Sequence, residues 1–120
     1  MPVYTKVALS ASTSGRPIEV QGTSSPGTTI HTMGTATGGT PVDEVWLWCC
    51  NLATTDGTLT VEFGGTSSED RIMTLIPSRA GPLEISSGWP VTATSAIVRA
   101  YATATAIMVI SGFANRIRAA

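Results

Sequence analysis

The strongest constraint on this chain is the spacing of its apolar residues. They recur at every second position, the period of a β-strand and not the 3.6 of a helix. In the opening segment Val3, Thr5, Val7, Leu9 and Ala11 fall on one side and Tyr4, Lys6, Ala8 and Ser10 on the other, as in a half-buried strand. Ser14-Gly15-Arg16-Pro17 reads as a turn, and Ile18 to Gln21 as a short strand. Gly22 to Gly27 (GTSSPG) is a second break, since Pro and Gly punctuate local structure. Thr28 to Thr35 is rich in β-branched residues and suits a strand, whereas Ala36 to Pro41 (ATGGTP) reads as a mobile loop.

Val42 to Ala53 (VDEVWLWCCNLA) is the strongest apolar run and predicts a central strand covered on both faces. Asp56-Gly57 follows as a hairpin signal, with Thr58 to Phe63 as the partner strand, ended by Gly64-Gly65. Asp70 to Ile76 is a further strand stopped by Pro77, and Leu83 to Ile85 a short one before a rigid corner at Gly88-Trp89-Pro90. Ala96 to Ala102 and Ala106 to Ile110 complete the set, the last extending toward Phe113. No window carries an amphipathic helix. The expected fold is all-β: one domain over residues 1–120, a jelly-roll-like β-sandwich of about eight strands.

Composition narrows the function. Of 120 residues, 42% are hydrophobic and only 12% charged, about half the usual share of charge, roughly 25%. A low-charge surface rich in Thr, Ser, Gly and Ala implies that part of it is covered by another copy or a partner. The net charge is −1, and Arg116 and Arg118 are the only close basic pair. The basic excess of a nucleic-acid binder is therefore missing, so no nucleic-acid partner is expected. No segment approaches the ~20 apolar residues of a membrane span, and no membrane partner is expected. The start, MPVYTKVALSAS, lacks the basic and apolar regions of a signal peptide, which points to synthesis in a cytosol with both cysteines reduced.

Chemistry-bearing residues are few. His31 is the only histidine, so a catalytic triad or a zinc site would have to be built around it. It lies in a Thr-rich strand without nucleophile-elbow or H-x-x-x-H spacing, and reads as an ordinary strand or interface histidine. Cys49 and Cys50 are adjacent, point to opposite faces and read as small apolar strand residues. Asp43-Glu44 and Glu69-Asp70-Arg71 read as solvated strand ends and an edge salt bridge. No P-loop or dinucleotide fingerprint is present, and no reaction, cofactor, metal or small-molecule substrate is expected. Trp46, Trp48 and Trp89 are the candidate interface or glycan platform. Trp46 and Trp48 share one strand face, which Cys50 continues, while Leu47 and Cys49 make an apolar opposite face. That pattern favours core or subunit interface over a sugar-stacking surface.

Three stretches together carry a resemblance. Val42 to Ile72 has a strand, then N-x-x-x-x-D-G, then a strand ending in EFGGT; Ile76 to Thr92 reads IPSRAGPLEISSGWPVT; Ala96 to Ile117 ends in GFANRI. This resembles small virion proteins of tailed bacteriophages, of the head decoration or minor capsid kind. The likeness covers about two thirds of the chain and leaves the N-terminal third unmatched. It implies a β-sandwich, symmetric assembly as a homo-oligomer with the trimer favoured, docking on the major capsid protein, and a place in the virion capsid. It carries over no catalytic residue. Met1 to Ser12 is the segment expected to add a strand to a neighbour. The alternatives are a carbohydrate-binding module and a head–tail or tail component.

Overall fold

The computed structural model describes residues 3–33, 42–92, 96–105 and 107–118. Nine strands run through them: β1 (Val3–Ala8), β2 (Ile18–Glu19), β3 (Thr28–Thr32), β4 (Val42–Asn51), β5 (Gly57–Phe63), β6 (Arg71–Ile76), β7 (Leu83–Val91), β8 (Ile97–Ala102) and β9 (Met108–Arg118), with a 3-10 turn at Ser68–Asp70. The expected loop at Ala36 to Pro41 lies outside the described residues, as do Gly34 and Thr35 at the end of the expected third strand.

Two antiparallel sheets pack face to face. The first has the order β1-β9-β4-β7, with β2 pairing β9 beyond the end of β1; the second has the order β3-β8-β5-β6. Residues 3–8 lie opposite residues 113–118, and Ile18 lies opposite Ile110, so β1 and β2 are one interrupted edge strand. Counted that way, eight strands alternate between the sheets. Every later connection crosses from one sheet to the other except β5 to β6, a hairpin. This is the jelly-roll order.

The core forms where the inward faces meet: Val45, Leu47 and Cys49 from β4, Leu59 and Val61 from β5, Val98 and Ala100 from β8, Met108 and Ile110 from β9. Each fully buried Leu, Ile or Met among them stabilises by about 1.5–3 kcal/mol relative to exposure. The alternation of β1 does not become burial. Val3 is 50% and Tyr4 64% exposed, and only Leu9, past the strand's end, is buried. β1 leans on β9 and gains little cover from the second sheet.

Three local expectations are corrected. First, Asp56-Gly57 closes no hairpin: β4 pairs with β7 and β9, while β5 pairs with β6 and β8. Both edges of β4 are already hydrogen-bonded, so the chain must leave the sheet. Asn51 shapes that exit, its side-chain amide donating to the Thr55 (3.1 Å) and Ile76 (2.9 Å) carbonyls and accepting from the Ala53 N–H (2.9 Å). Asp56 accepts from the Ser78 N–H at 2.9 Å, which ties this crossing to the next one. Second, Gly88-Trp89-Pro90 is no corner. β7 runs unbroken through it, absorbing two register shifts against β4. Pro90 is tolerated because β7 is an edge strand with one side free of ladder bonds. Third, β4 is covered on one face only: Asp43, Val45, Leu47, Cys49 and Asn51 are buried, and the residues between them half-exposed.

Candidate functional site: an aromatic surface and a buried charge network

The outward face of β4 carries Glu44, Trp46, Trp48 and Cys50. Trp46 and Trp48 are therefore surface residues and not core, which corrects that arm of the expectation. Phe113 of β9 lies opposite Trp46 in the ladder and joins them. The three rings are nearly parallel, with interplanar angles of 18°, 12° and 29° and centroid separations of 6.4, 5.9 and 6.1 Å. A three-layer column at about 3.5 Å per layer would hold its outer rings about 7 Å apart. The spacing is closer to equal, so at least two rings lie side by side and the group forms a ridge on the sheet. Lys6 of β1 sets its ammonium 4.2 Å from the Phe113 centroid, a cation–π contact that caps one end.

Backbone geometry makes room for this surface. Gly88 has φ +81°, and a Cβ there would come within 3.1 Å of the Trp46 indole, so the indole lies across bare backbone of β7. Gly112 has φ +157°, and a Cβ there would overlap the Trp46 carbonyl oxygen. It lets β9 and β4 approach beside Phe113. Sequence reasoning found Trp46 and Trp48 but missed Phe113 and Lys6. Their signal was the register of β1 and β9, which pairs Lys6 with Asn115 and places Asn115 opposite Glu44. Trp89 stands apart, its ring 5.1 Å from Phe63 of the second sheet and tilted 51°. Beside that pair lies an open hollow of about 270 Å3 lined by Phe63, Asp70 and Thr92 among others. Asp70 there accepts from the Ser67 N–H through Oδ2.

Asp43, expected at a solvated strand end, is instead wholly buried. His31 Nε2 of the second sheet lies 2.8 Å from Asp43 Oδ2, and Arg116 grips the carboxylate with Nε at 3.1 Å and Nη2 at 3.0 Å. Arg118 Nη2 is 3.2 Å from Oδ1, and its Nη1 donates to the Val42 and Ile117 carbonyls. The Ser10 N–H donates to His31 Nδ1 at 3.0 Å. That bond assigns the ring proton to Nε2, pointing at Asp43. Burial pushes the Asp43 carboxyl up, but hydrogen bonds from Arg116 and His31 and the charges of Arg116 and Arg118 outweigh it, leaving it below the ordinary range. With both ring nitrogens occupied and His31 1% exposed, the cluster presents no reacting atom to solvent. It clamps the two sheets together.

A second buried carboxylate, Glu62, accepts from Ser25 Oγ (2.6 Å) and the Gly27 N–H (2.9 Å), with Arg71 at 3.6 Å. The Glu69-Asp70-Arg71 cluster thus finds its ion pair across the β5–β6 ladder and not within itself. Burial raises the Glu62 carboxyl, and the bonds from Ser25 and Gly27 with the charges of Arg71 and Arg99 bring it below the ordinary range. Cys49 is buried and Cys50 half-exposed, on opposite faces as expected, and neither is in a disulfide. Among the described residues, no group of three His, Cys, Asp or Glu is placed to hold a metal ion. Compared with known proteins, the chain matches no family model, no curated protein and no solved structure.

Proposed function

We propose that this protein is a structural, non-enzymatic component of a phage virion, a capsid decoration (cement) protein that self-associates and stabilises the head by docking on the major capsid protein. The observation that carries the docking reading is the Trp46–Phe113–Trp48 ridge, set outward on a sheet whose opposite face fills the core. Aromatic residues at this density on a low-charge surface mark contact areas, where a rigid ring supplies area at little entropic cost. The placement in the virion rests on the resemblance of residues 42–117 and on the jelly-roll order, an architecture shared by capsid and lectin domains. Many identical weak contacts on a shell act together through avidity, so no single contact need be strong. The shell suits a protein of this kind: it binds by shape and holds its own two sheets rigid with buried charge.

The experiment is co-sedimentation with empty shells of the major capsid protein encoded in the same genome, combined with native mass measurement. Saturable binding, lost in Trp46→Ala/Trp48→Ala, is the expected result. A monodisperse monomer that ignores shells overturns the reading. A glycan platform is the second reading, favoured by the side-by-side rings, which present aromatic area as a sugar-stacking surface does. It requires the tryptophan emission to shift on adding soluble glycans, with no dependence on shells.

A further inference from the structure

The outward face of the first sheet carries four charges: Glu19 on β2, opposite Val109 past the end of β1, and Lys6, Glu44 and Glu84 around the aromatic group. Ladder pairing sets Lys6, Asn115, Glu44 and Pro90 in one row across the four strands. Two residues along comes the row Ala8, Phe113, Trp46, Ser87, and two further along β4 comes Trp48 opposite Glu84. Lys6 and Glu84, both exposed, therefore stand at opposite corners of the patch, about 14 Å apart across the strands and about 14 Å apart along them. The midpoint of that diagonal falls between Phe113 and Trp46.

We infer that this face is a two-fold interface between two copies of the chain, with Lys6 of each copy against Glu84 of the other around a shared aromatic centre. This deepens the self-association in the proposed function and rests on that reading. A rotation of 180° about an axis in the sheet plane, perpendicular to the Lys6–Glu84 diagonal, exchanges the two corners and brings the Phe113–Trp46 centres together. The same rotation sets Trp48 over the Ala8 region of the other copy, beside Lys6, and Glu44 over the stretch between Ser87 and Pro90, away from Glu84. Among Lys6, Glu44 and Glu84 no like charges meet. A patch that is its own complement is what an isologous contact requires. Size agrees as well: four strands at about 4.8 Å and ten residues at about 3.4 Å make a face of roughly 650 Å2 per copy, about 1,300 Å2 for the pair. A stable interface needs about 1,000 Å2 or more in total. The contact is two-fold, so it predicts a dimer or an even-numbered assembly, not the trimer that the resemblance implies.

A charge exchange tests it. Wild type, Lys6→Glu, Glu84→Lys and the double variant are compared by sedimentation equilibrium over a range of concentrations. Each single reversal sets like charges against each other twice per dimer, and the dissociation constant should rise at least about tenfold. The double variant rebuilds both pairs with signs exchanged and should return to within about threefold of wild type. Both positions are exposed, so folding is checked by near-ultraviolet circular dichroism and should not change. A folded wild type that stays monomeric or forms trimers, or a double variant that associates no better than the singles, overturns the inference. The four proteins are also incubated with empty shells. A dimer that obeys the charge exchange but ignores shells leaves this interface standing and removes the virion reading. Shell binding by wild type, with association unmoved by any reversal, does the opposite.

Discussion

Replacing Asp43 with Asn should cost about 3 kcal/mol of folding stability. The substitution keeps the volume of the side chain and so opens no cavity. What it changes is the match of donors to acceptors. All four polar contacts of the carboxylate come from donors: Arg116 Nε and Arg118 Nη2 on Oδ1, Arg116 Nη2 and His31 Nε2 on Oδ2. An amide has one oxygen, so its NH2 must face two of those donors whichever way it is turned. Removing one partner of a buried ion pair costs about 3–5 kcal/mol, because the charge left behind is uncompensated. The Arg116 side chain is 28% and the Arg118 side chain 16% exposed, so water reaches part of what is stranded, and the low end of that range applies. At a typical urea dependence of about 1.5 kcal/mol per molar, the unfolding midpoint falls by about 2 M. The assay is urea unfolding followed by tryptophan emission. Adding Arg116→Met to Asp43→Asn should cost less than the sum of the two single changes, since it withdraws one stranded charge. A loss below about 1 kcal/mol for Asp43→Asn, or simple additivity with Arg116→Met, would refute the clamp.

Three further outcomes are expected. Gly112→Ala drives a Cβ into the Trp46 carbonyl and to 3.2 Å from the Leu47 Cα, both main chain of a central strand, so the loss should reach about 4 kcal/mol or prevent folding; Ser111→Ala beside it should stay within about 0.5 kcal/mol, and equal behaviour of the two would contradict the packing. The Asp43 and Glu62 carboxyls are both lowered on folding, so their stabilisation is complete above the unfolded values near ~4 and is lost as pH falls through the folded ones. Their share of the urea midpoint should thus be flat from about pH 8 to 5 and drop below about 4 in wild type; a drop of the same size in Asp43→Asn/Glu62→Gln would show that other groups cause it. The Cys49 thiol is buried and pushed up to about 12, by burial first and by its neighbour Cys50 second, so a thiol reagent at pH 8 should modify no more than one cysteine in the native chain and two after unfolding.

Most strands were legible because a period of two is a direct image of the pleat, and most turns because Gly and Pro clusters interrupt it, although β7 runs straight through Gly88-Trp89-Pro90. Pairing was less so. Asp56-Gly57 has the residues of a tight hairpin, yet which strands meet is decided by the edges already occupied on β4 and by Asn51, whose partners Thr55 and Ile76 lie on the connection and on β6. Nothing local in the segment records that. The charge network was hidden for a similar reason. Asp43, His31 and Arg116 are far apart in the chain, and only the stacking of β3 against β4 and β9 brings them together. Of the candidate surface, Trp46 and Trp48 were visible as a spaced pair, while Phe113 and Lys6 depend on a register that a single sequence does not display.

The facing of β4 is the point at which fold and surface are decided together. Both of its faces are apolar, Val45, Leu47 and Cys49 inward, Trp46, Trp48 and Cys50 outward. A slip of one residue against its neighbours would exchange them. Area alone would favour the slip, since an indole buries more surface than a valine or a leucine. The inward face, however, begins at Asp43 and ends at Asn51, and each has a complete set of buried partners only in the observed register. Slipping the strand would strand Arg116, Arg118 and His31 at one end and bare carbonyls at the other, at a cost of several kcal/mol. The polar ends of β4 therefore fix its register, and in doing so they hold two tryptophans against solvent. The same network draws Asp43, Arg116 and Arg118 away from a surface that has few charges to begin with, which leaves Lys6, Glu19, Glu44 and Glu84 to set the electrostatics of the outward face. With so few charges, moving one of them across that face should change what it binds, whereas changing a core residue should alter only how firmly the sandwich holds.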